Sequence, residues 1–209
     1  MEAKEMVASL VEKSRIAQKQ LEKFNQQQID DIVRAIAKVV YDNAEPLSRL
    51  AVDETRMGVY EHKVAKCKGK SKIIWGNLKG KVSVGIVDRN EETGITVIAR
   101  PVGVVGAITP CTNPVVTPMC NAMFALKGRN AIVICPHPRS KNCSGEAVRL
   151  MKAALRKREL GVSGNFETKL TEKLSALTDR IAETADGLEH ASASAQACSG
   201  NEEKARSLF

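Results

Sequence analysis

Residues 106–118 read GAITPCTNPVVTP. An apolar run, Val102–Ile108, stops at Thr109-Pro110, and a helical pattern is expected over Pro114–Leu126. In α/β sheets the carboxyl end of a strand, where it hands over to a helix, is a usual place for a ligand. Prolines 110, 114 and 118 stiffen the backbone at this junction. Beyond it, NAIVIC (130–135) reads as a second buried strand and PHPRSK as a loop. Asn142–Leu155 reads as a helix with Ala147, Val148, Leu150, Met151 and Leu155 as its apolar side. Residues 102–155 are therefore expected to form a β-α-β-α unit, the start of a parallel, Rossmann-like sheet with right-handed crossovers.

Upstream, the chain reads as four helices. Residues 3–24 carry Met6, Leu10, Ile16 and Leu21 on a drifting apolar side, and Gln27–Tyr41 carries a clean stripe of Ile29, Ile32, Val33, Ile36 and Val40. A third helix spans Glu45–Met57 and stops at Gly58; a fourth covers Glu61–Leu78, weakened by Gly69. The period then changes. Val82, Val84 and Ile86 alternate, DRNEET turns the chain, and GITVIAR follows, so a β-hairpin is expected at about 81–100. The fold class is α/β: N-terminal helices, a hairpin and a partial Rossmann-like unit, then a helical tail. Residues 1–160 form the first region. Residues 161–209 open on the linker GVSGN and continue with a heptad-like stripe, Leu170, Leu174, Leu177, Ile181, Thr184 and Leu188. The last residues are poor in apolar bulk, as in partly disordered segments.

The chain has 209 residues, enough for a real core, and with aromatics at 3% Val, Ile, Leu and Ala must supply the packing. No apolar stretch approaches the ~20 residues that span a bilayer, and MEAKEMVASLVEKSR has no signal-peptide core. The six cysteines, at 67, 111, 120, 135, 143 and 198, show no CxxC pair, which fits reduced thiols in a cytoplasmic protein. His62, His137 and His190 have no metal-ligand spacing, so no metal is expected. The net charge of +8 comes from residues 1–155, most densely from lysines 63, 66, 68, 70, 72, 79 and 81. Only Trp75 interrupts that cluster, so it offers no stacking platform for nucleic acid; a solvated helix face explains it better, with attraction for a polyanionic cofactor as a third option.

Local chemistry leaves two roles open for Asn113. Its amide N–H₂ can stabilise a developing oxyanion, or its side chain can cap the next helix. Gly103 and Gly106 alone do not make a GxGxxG fingerprint.

The run ARPVGVVGAITPCTNPVVTPMCNAMFALKGRNAIVICPHPRSK resembles the aldehyde dehydrogenase superfamily. With IVRAIAKVVYDNAE and AVDETRMGVYEHKVAKCK, it is most similar to the CoA-acylating branch, including clostridial CoA-dependent succinate-semialdehyde dehydrogenases. The likeness covers about residues 1–155. It implies a reaction in which an aldehyde adds to a cysteine thiolate, hydride passes to NAD or NADP, and CoA carries the acyl group away as a thioester. Asn113 matches the oxyanion-stabilising asparagine. Thr109, Pro110 and Cys111 match the loop against the nicotinamide. Pro136, His137, Pro138 and Arg139 match the loop that holds the adenosine ribose.

The resemblance also implies a chain more than twice as long, with a third strand, a Gly-rich pyrophosphate loop and a separate domain carrying the nucleophilic cysteine. Residues 161–209 do not resemble these. Cys111 is read as a small side chain lining the cofactor loop rather than a substitute nucleophile. The expectation is thus a partial, truncated member with weak or absent NAD(P) binding and no activity alone. The alternative is a non-catalytic interaction or assembly protein. In either case a homo-oligomer is expected, joined by the 81–100 hairpin and the 170–188 stripe.

Overall fold

The computed structural model describes residues 3–159; the linker, the 170–188 stripe and the rest of the 161–209 segment lie outside the described residues. The elements are α1 (Ala3–Leu21), α2 (Gln26–Asp42), α3 (Ala44–Thr55), α4 (Tyr60–Leu78), β1 (Gly85–Asn90), β2 (Ile95–Ala99), β3 (Val104–Thr109), α5 (Val116–Lys127), β4 (Ala131–Pro136) and α6 (Lys141–Glu159). A single 3-10 turn, Pro138–Ser140, joins β4 to α6.

Helix α2 is the centre of the fold and packs against α4, α5 and α6. Asn25 opens it with a capping box: its side chain accepts from the Gln28 N–H at 2.9 Å, and Gln28 answers on the Asn25 N–H at 3.0 Å. Ile29, Val33, Ile36 and Val40 are fully buried. Each such side chain contributes about 1.5–3 kcal/mol, against about 1 kcal/mol for the cap. The apolar stripe therefore fixes where α2 lies, and the cap fixes where it begins.

Helix α1 differs from its expected face. Leu10, Ser14, Gln18 and Leu21 point inward, while Ile16 is half exposed. Of the polar residues on this inward row, Gln18 is tied down: its Nε2 donates to the Arg129 carbonyl at 3.3 Å. The helix ends at Leu21 rather than residue 24.

The hairpin also begins later than its alternation suggests. The N–H groups of Ser83 and Val84 donate to Gln26 Oε1 at 2.8 and 3.1 Å, so they are not available to a strand partner. Gly85, at φ +76, then turns the chain into β1. β1 pairs antiparallel with β2, with a register irregularity between Ile86 and Asp88. The pair stands clear of the core, leaving Ile86, Ile95, Val97 and Ile98 about half exposed.

β3 and β4 pair in parallel, Val104 opposite Ala131 through Thr109 opposite Pro136, and α5 crosses between them. This is the expected α/β unit, with α6 following. The α5–β4 turn sets its register. Helix α5 closes with the Arg129 N–H on the Leu126 carbonyl and the Asn130 N–H on the Ala125 carbonyl, both at 2.9 Å. In this Schellman-type cap the left-handed residue is Arg129, at φ +58, not the preceding Gly128. A non-glycine residue there costs about 1 kcal/mol. The Arg129 guanidinium offsets that cost by donating to the Glu22 carbonyl at 2.8 Å and the Ala99 carbonyl at 3.2 Å, tying α1 and the hairpin base to this turn. Gly128 stays small for a different reason: a Cβ there would lie 2.8 Å from Asn130 Nδ2. Asn130 Oδ1 accepts from the Val102 and Gly103 N–H groups at 2.6 and 3.0 Å, which pins the start of β3.

Candidate active site at the β3–α5 junction

Parallel pairing brings the carboxyl ends of β3 and β4 side by side. The His137 N–H donates to the Thr109 carbonyl at 3.0 Å, so the two loops that follow these strands are joined at their roots. Thr109 is buried, Pro110 exposed and Cys111 half-buried. The Asn113 carbonyl accepts from the Thr117 N–H at 3.1 Å, and the Pro114 carbonyl accepts from Ser144 Oγ at 2.8 Å. The loop is thus held by α5 and α6 as well as by its prolines.

The Asn113 side chain does not cap α5, whose N-cap is Val115 with no side-chain bond. Instead Asn113 Oδ1 accepts from Lys66 Nζ at 3.0 Å, and Nδ2 makes only a long contact of 3.4 Å with Thr112 Oγ1. One turn earlier on α4, Lys63 Nζ donates to the Thr112 carbonyl at 3.1 Å. The space between Ser48, Cys67, these lysines and Asn113 is about 10 Å³, room for one water at most. Sequence reasoning treated both lysines as part of a solvated face. Their i, i+3 spacing was visible, but only the fold brings them to a loop nearly fifty residues away.

The electrostatics follow from this packing. Burial, and then the positive charge of Lys66, hold the Lys63 ammonium below its usual pKa. Burial pushes the Cys67 thiol up. Cys143 is raised strongly, first by burial and then by Glu54. Cys120 and Cys135 are raised by burial as well. Cys111 Sγ lies 3.7 Å from Met57 Sδ, a thioether that cannot act as a base. Cys67, Cys120, Cys135 and Cys143 are thus all held in the thiol rather than the nucleophilic thiolate form.

The loop after β4 divides in two. His137 and Pro138 are exposed beside the junction. His137 Nδ1 accepts the Arg139 N–H at 3.1 Å. The Arg139 guanidinium turns back and donates to the Thr55 carbonyl at 3.1 Å, at the end of α3. The next helix start is occupied: the N–H groups of Asn142 and Cys143 donate to the two oxygens of Glu54 at 2.8 and 2.7 Å. A carboxylate there takes the place a phosphate would want. The start of α6 therefore does not fit a pyrophosphate.

The parallel β-α-β unit with its two carboxyl-end loops side by side defines an α/β domain. The chain belongs to the aldehyde dehydrogenase family, whose model matches residues 1–164. It is 53% identical over 160 residues to the acetylating succinate-semialdehyde dehydrogenase of Clostridium kluyveri, covering 77% of this chain and 35% of that protein. Its fold matches an acetylating aldehyde dehydrogenase from Geobacillus thermoglucosidasius with a TM-score of 0.70 and 39% identity, over 74% of this chain and 34% of the other. It also matches a Rhodopseudomonas palustris propionaldehyde dehydrogenase solved with bound CoA and an acylated cysteine, at a TM-score of 0.59 and 35% identity, over 72% and 34% of the two chains. The chain therefore spans about a third of the length of these relatives.

Proposed function

We propose that this chain supplies the oxyanion donor and the nicotinamide-side and ribose-side loops of a CoA-acylating aldehyde dehydrogenase. The observation that carries this reading is the Asn113 amide, its oxygen held by Lys66 and its N–H₂ making only a long contact with Thr112 Oγ1. An aldehyde oxygen placed there receives a hydrogen bond that strengthens as negative charge grows on it. Thr109, Pro110 and Cys111 form the wall beside the reacting carbon, and Pro136, His137 and Pro138 face the ribose, with the Arg139 backbone closing that loop. Bound NAD(P)⁺ would accept the hydride, and CoA would accept the acyl group. In this reading the attacking thiol is supplied by the remaining part of a full-length dehydrogenase, so the chain alone is expected to show no turnover. An aldehyde with an anionic tail, such as succinate semialdehyde, is the substrate class suggested by the Clostridium kluyveri relative.

A second reading, assembly without catalysis, is favoured by the hairpin, whose Ile86, Ile95 and Ile98 are half exposed on an element that packs on itself. A second copy of the chain is the proposed occupant.

The two readings separate in one experiment. CoA-dependent NAD(P)H formation from succinate semialdehyde is measured for the chain alone and for the chain fused to the remaining two thirds of the Clostridium kluyveri enzyme. The catalytic reading expects no turnover alone and turnover in the fusion, with kcat reduced about 10²–10³-fold by Asn113→Ala. Turnover by the chain alone that disappears in Cys111→Ser would make Cys111 the nucleophile. A fusion indifferent to Asn113→Ala would remove the proposed role of that residue.

A further inference from the structure

We propose that Lys66 is a positioning residue that sets which way the Asn113 amide faces. The two ends of an asparagine amide have nearly the same shape and opposite hydrogen-bonding character. Thr112 Oγ1, at 3.4 Å, is a hydroxyl and accepts either end as a neighbour. An ammonium group is a donor only. Lys66 Nζ, 3.0 Å from the amide oxygen, therefore makes one orientation favourable and the flipped one repulsive, with the ammonium N–H₃⁺ facing the amide N–H₂, donor against donor. Lys63 completes the arrangement by holding the Thr112 carbonyl at 3.1 Å, so adjacent residues of the loop are fastened to successive turns of one helix. The positive charge behind the amide oxygen also polarises the amide, making its N–H groups better donors. For its consequence in catalysis this inference rests on the reading of Asn113 as the oxyanion donor; its geometry does not.

The test uses nuclear magnetic resonance on the full chain, without cofactor or substrate. The side-chain amide signals of Asn113 are identified by their loss in Asn113→Asp. In the unaltered chain, Nδ2 protons should show cross-relaxation to Thr112 and none to the Lys66 Cε protons. Lys66→Met should abolish this one-sided pattern, Lys66→Arg should restore it because a guanidinium also only donates, and Lys63→Met should leave it in place. Cross-relaxation from Nδ2 protons to Lys66 in the unaltered chain would overturn the proposal, and that measurement needs no variant. So would a Lys66→Met chain that keeps the one-sided pattern. If the amide behaves as expected while Asn113→Ala leaves the fusion enzyme fully active, the orientation stands and the catalytic reading fails.

Discussion

Asn130 is where the position of the whole junction can be tested most directly. Its Oδ1 accepts from the Val102 and Gly103 N–H groups at 2.6 and 3.0 Å, and its Nδ2 reaches the Ala125 and Gly128 carbonyls at 3.3 Å each. Asn130→Ala removes all four. The two short bonds are worth about 1 kcal/mol each, since water can reach exposed Val102, and the two long ones add less, for about 2–3 kcal/mol in total. That is a large part of the ~5–15 kcal/mol that holds a domain. Asn130→Asp separates the two halves of the network. It keeps the acceptor but, when ionised, sets a charge against two carbonyls and lacks their donor. Its folded pKa is then raised above the unfolded value of about 3.9, so stability is present at low pH and lost as pH rises through the folded pKa. Urea unfolding followed by circular dichroism, each variant against the unaltered chain at pH 4.5 and 7, measures both effects. Amide exchange at Val102 and Gly103 should quicken in Asn130→Ala. A cost below ~1 kcal/mol for alanine, or an aspartate variant whose deficit does not change with pH, would refute the reasoning.

The remaining expectations concern reactivity, ligand binding, assembly and the helix cap. Burial keeps the Cys67 and Cys143 thiols protonated, so at pH 8 they should alkylate far more slowly than half-buried Cys111; mass spectrometry of iodoacetamide-treated chain gives the order, and Cys143 reacting first would contradict it. Titration calorimetry should find NAD⁺ binding no tighter than roughly millimolar, about −4 kcal/mol, because Glu54 fills the start of α6; micromolar binding would show that another segment supplies the pyrophosphate site. Light scattering at tens of micromolar should show an oligomer that Ile95→Glu plus Ile98→Glu weakens, and a monodisperse monomer of the unaltered chain would end the assembly proposal. Arg129→Ala should destabilise more than Arg129→Gly by about 1 kcal/mol, since both lose the guanidinium bonds and only glycine relieves the left-handed backbone; equal unfolding midpoints would say otherwise.

What the sequence made legible was the part written in local pattern. The stripe of α2, the two apolar strands and the proline-bounded junction each announced themselves within a few residues. The errors lie where a distant partner decides. Val82 and Val84 alternate as a strand should, but Gln26, nearly sixty residues earlier, takes the amides of Ser83 and Val84. Gln18 looks like a surface residue of α1 until the Arg129 carbonyl is placed beside it. Helix α4, by contrast, runs through Gly69 to Leu78 as its pattern implied, with Cys67 and Ser71 buried on either side of the glycine. At the site, Asn113 could be picked out by its neighbours in the chain, whereas Lys63, Lys66 and Glu54 acquire their roles only through packing. Arg139 was assigned to the ribose loop by resemblance, and its guanidinium is now seen to serve the end of α3.

That last pair of contacts bears on how the protein can be re-engineered. Glu54 and Thr55 are consecutive; one binds the start of α6 and the other receives Arg139. The segment after β4 and the end of α3 are therefore interlocked and do not behave as separate modules. A graft that exchanges residues 136–143 for those of a relative, to change cofactor preference, will carry a mismatched seam unless residues 54 and 55 travel with it. The conformation of that loop is thus partly encoded in a helix about eighty residues upstream.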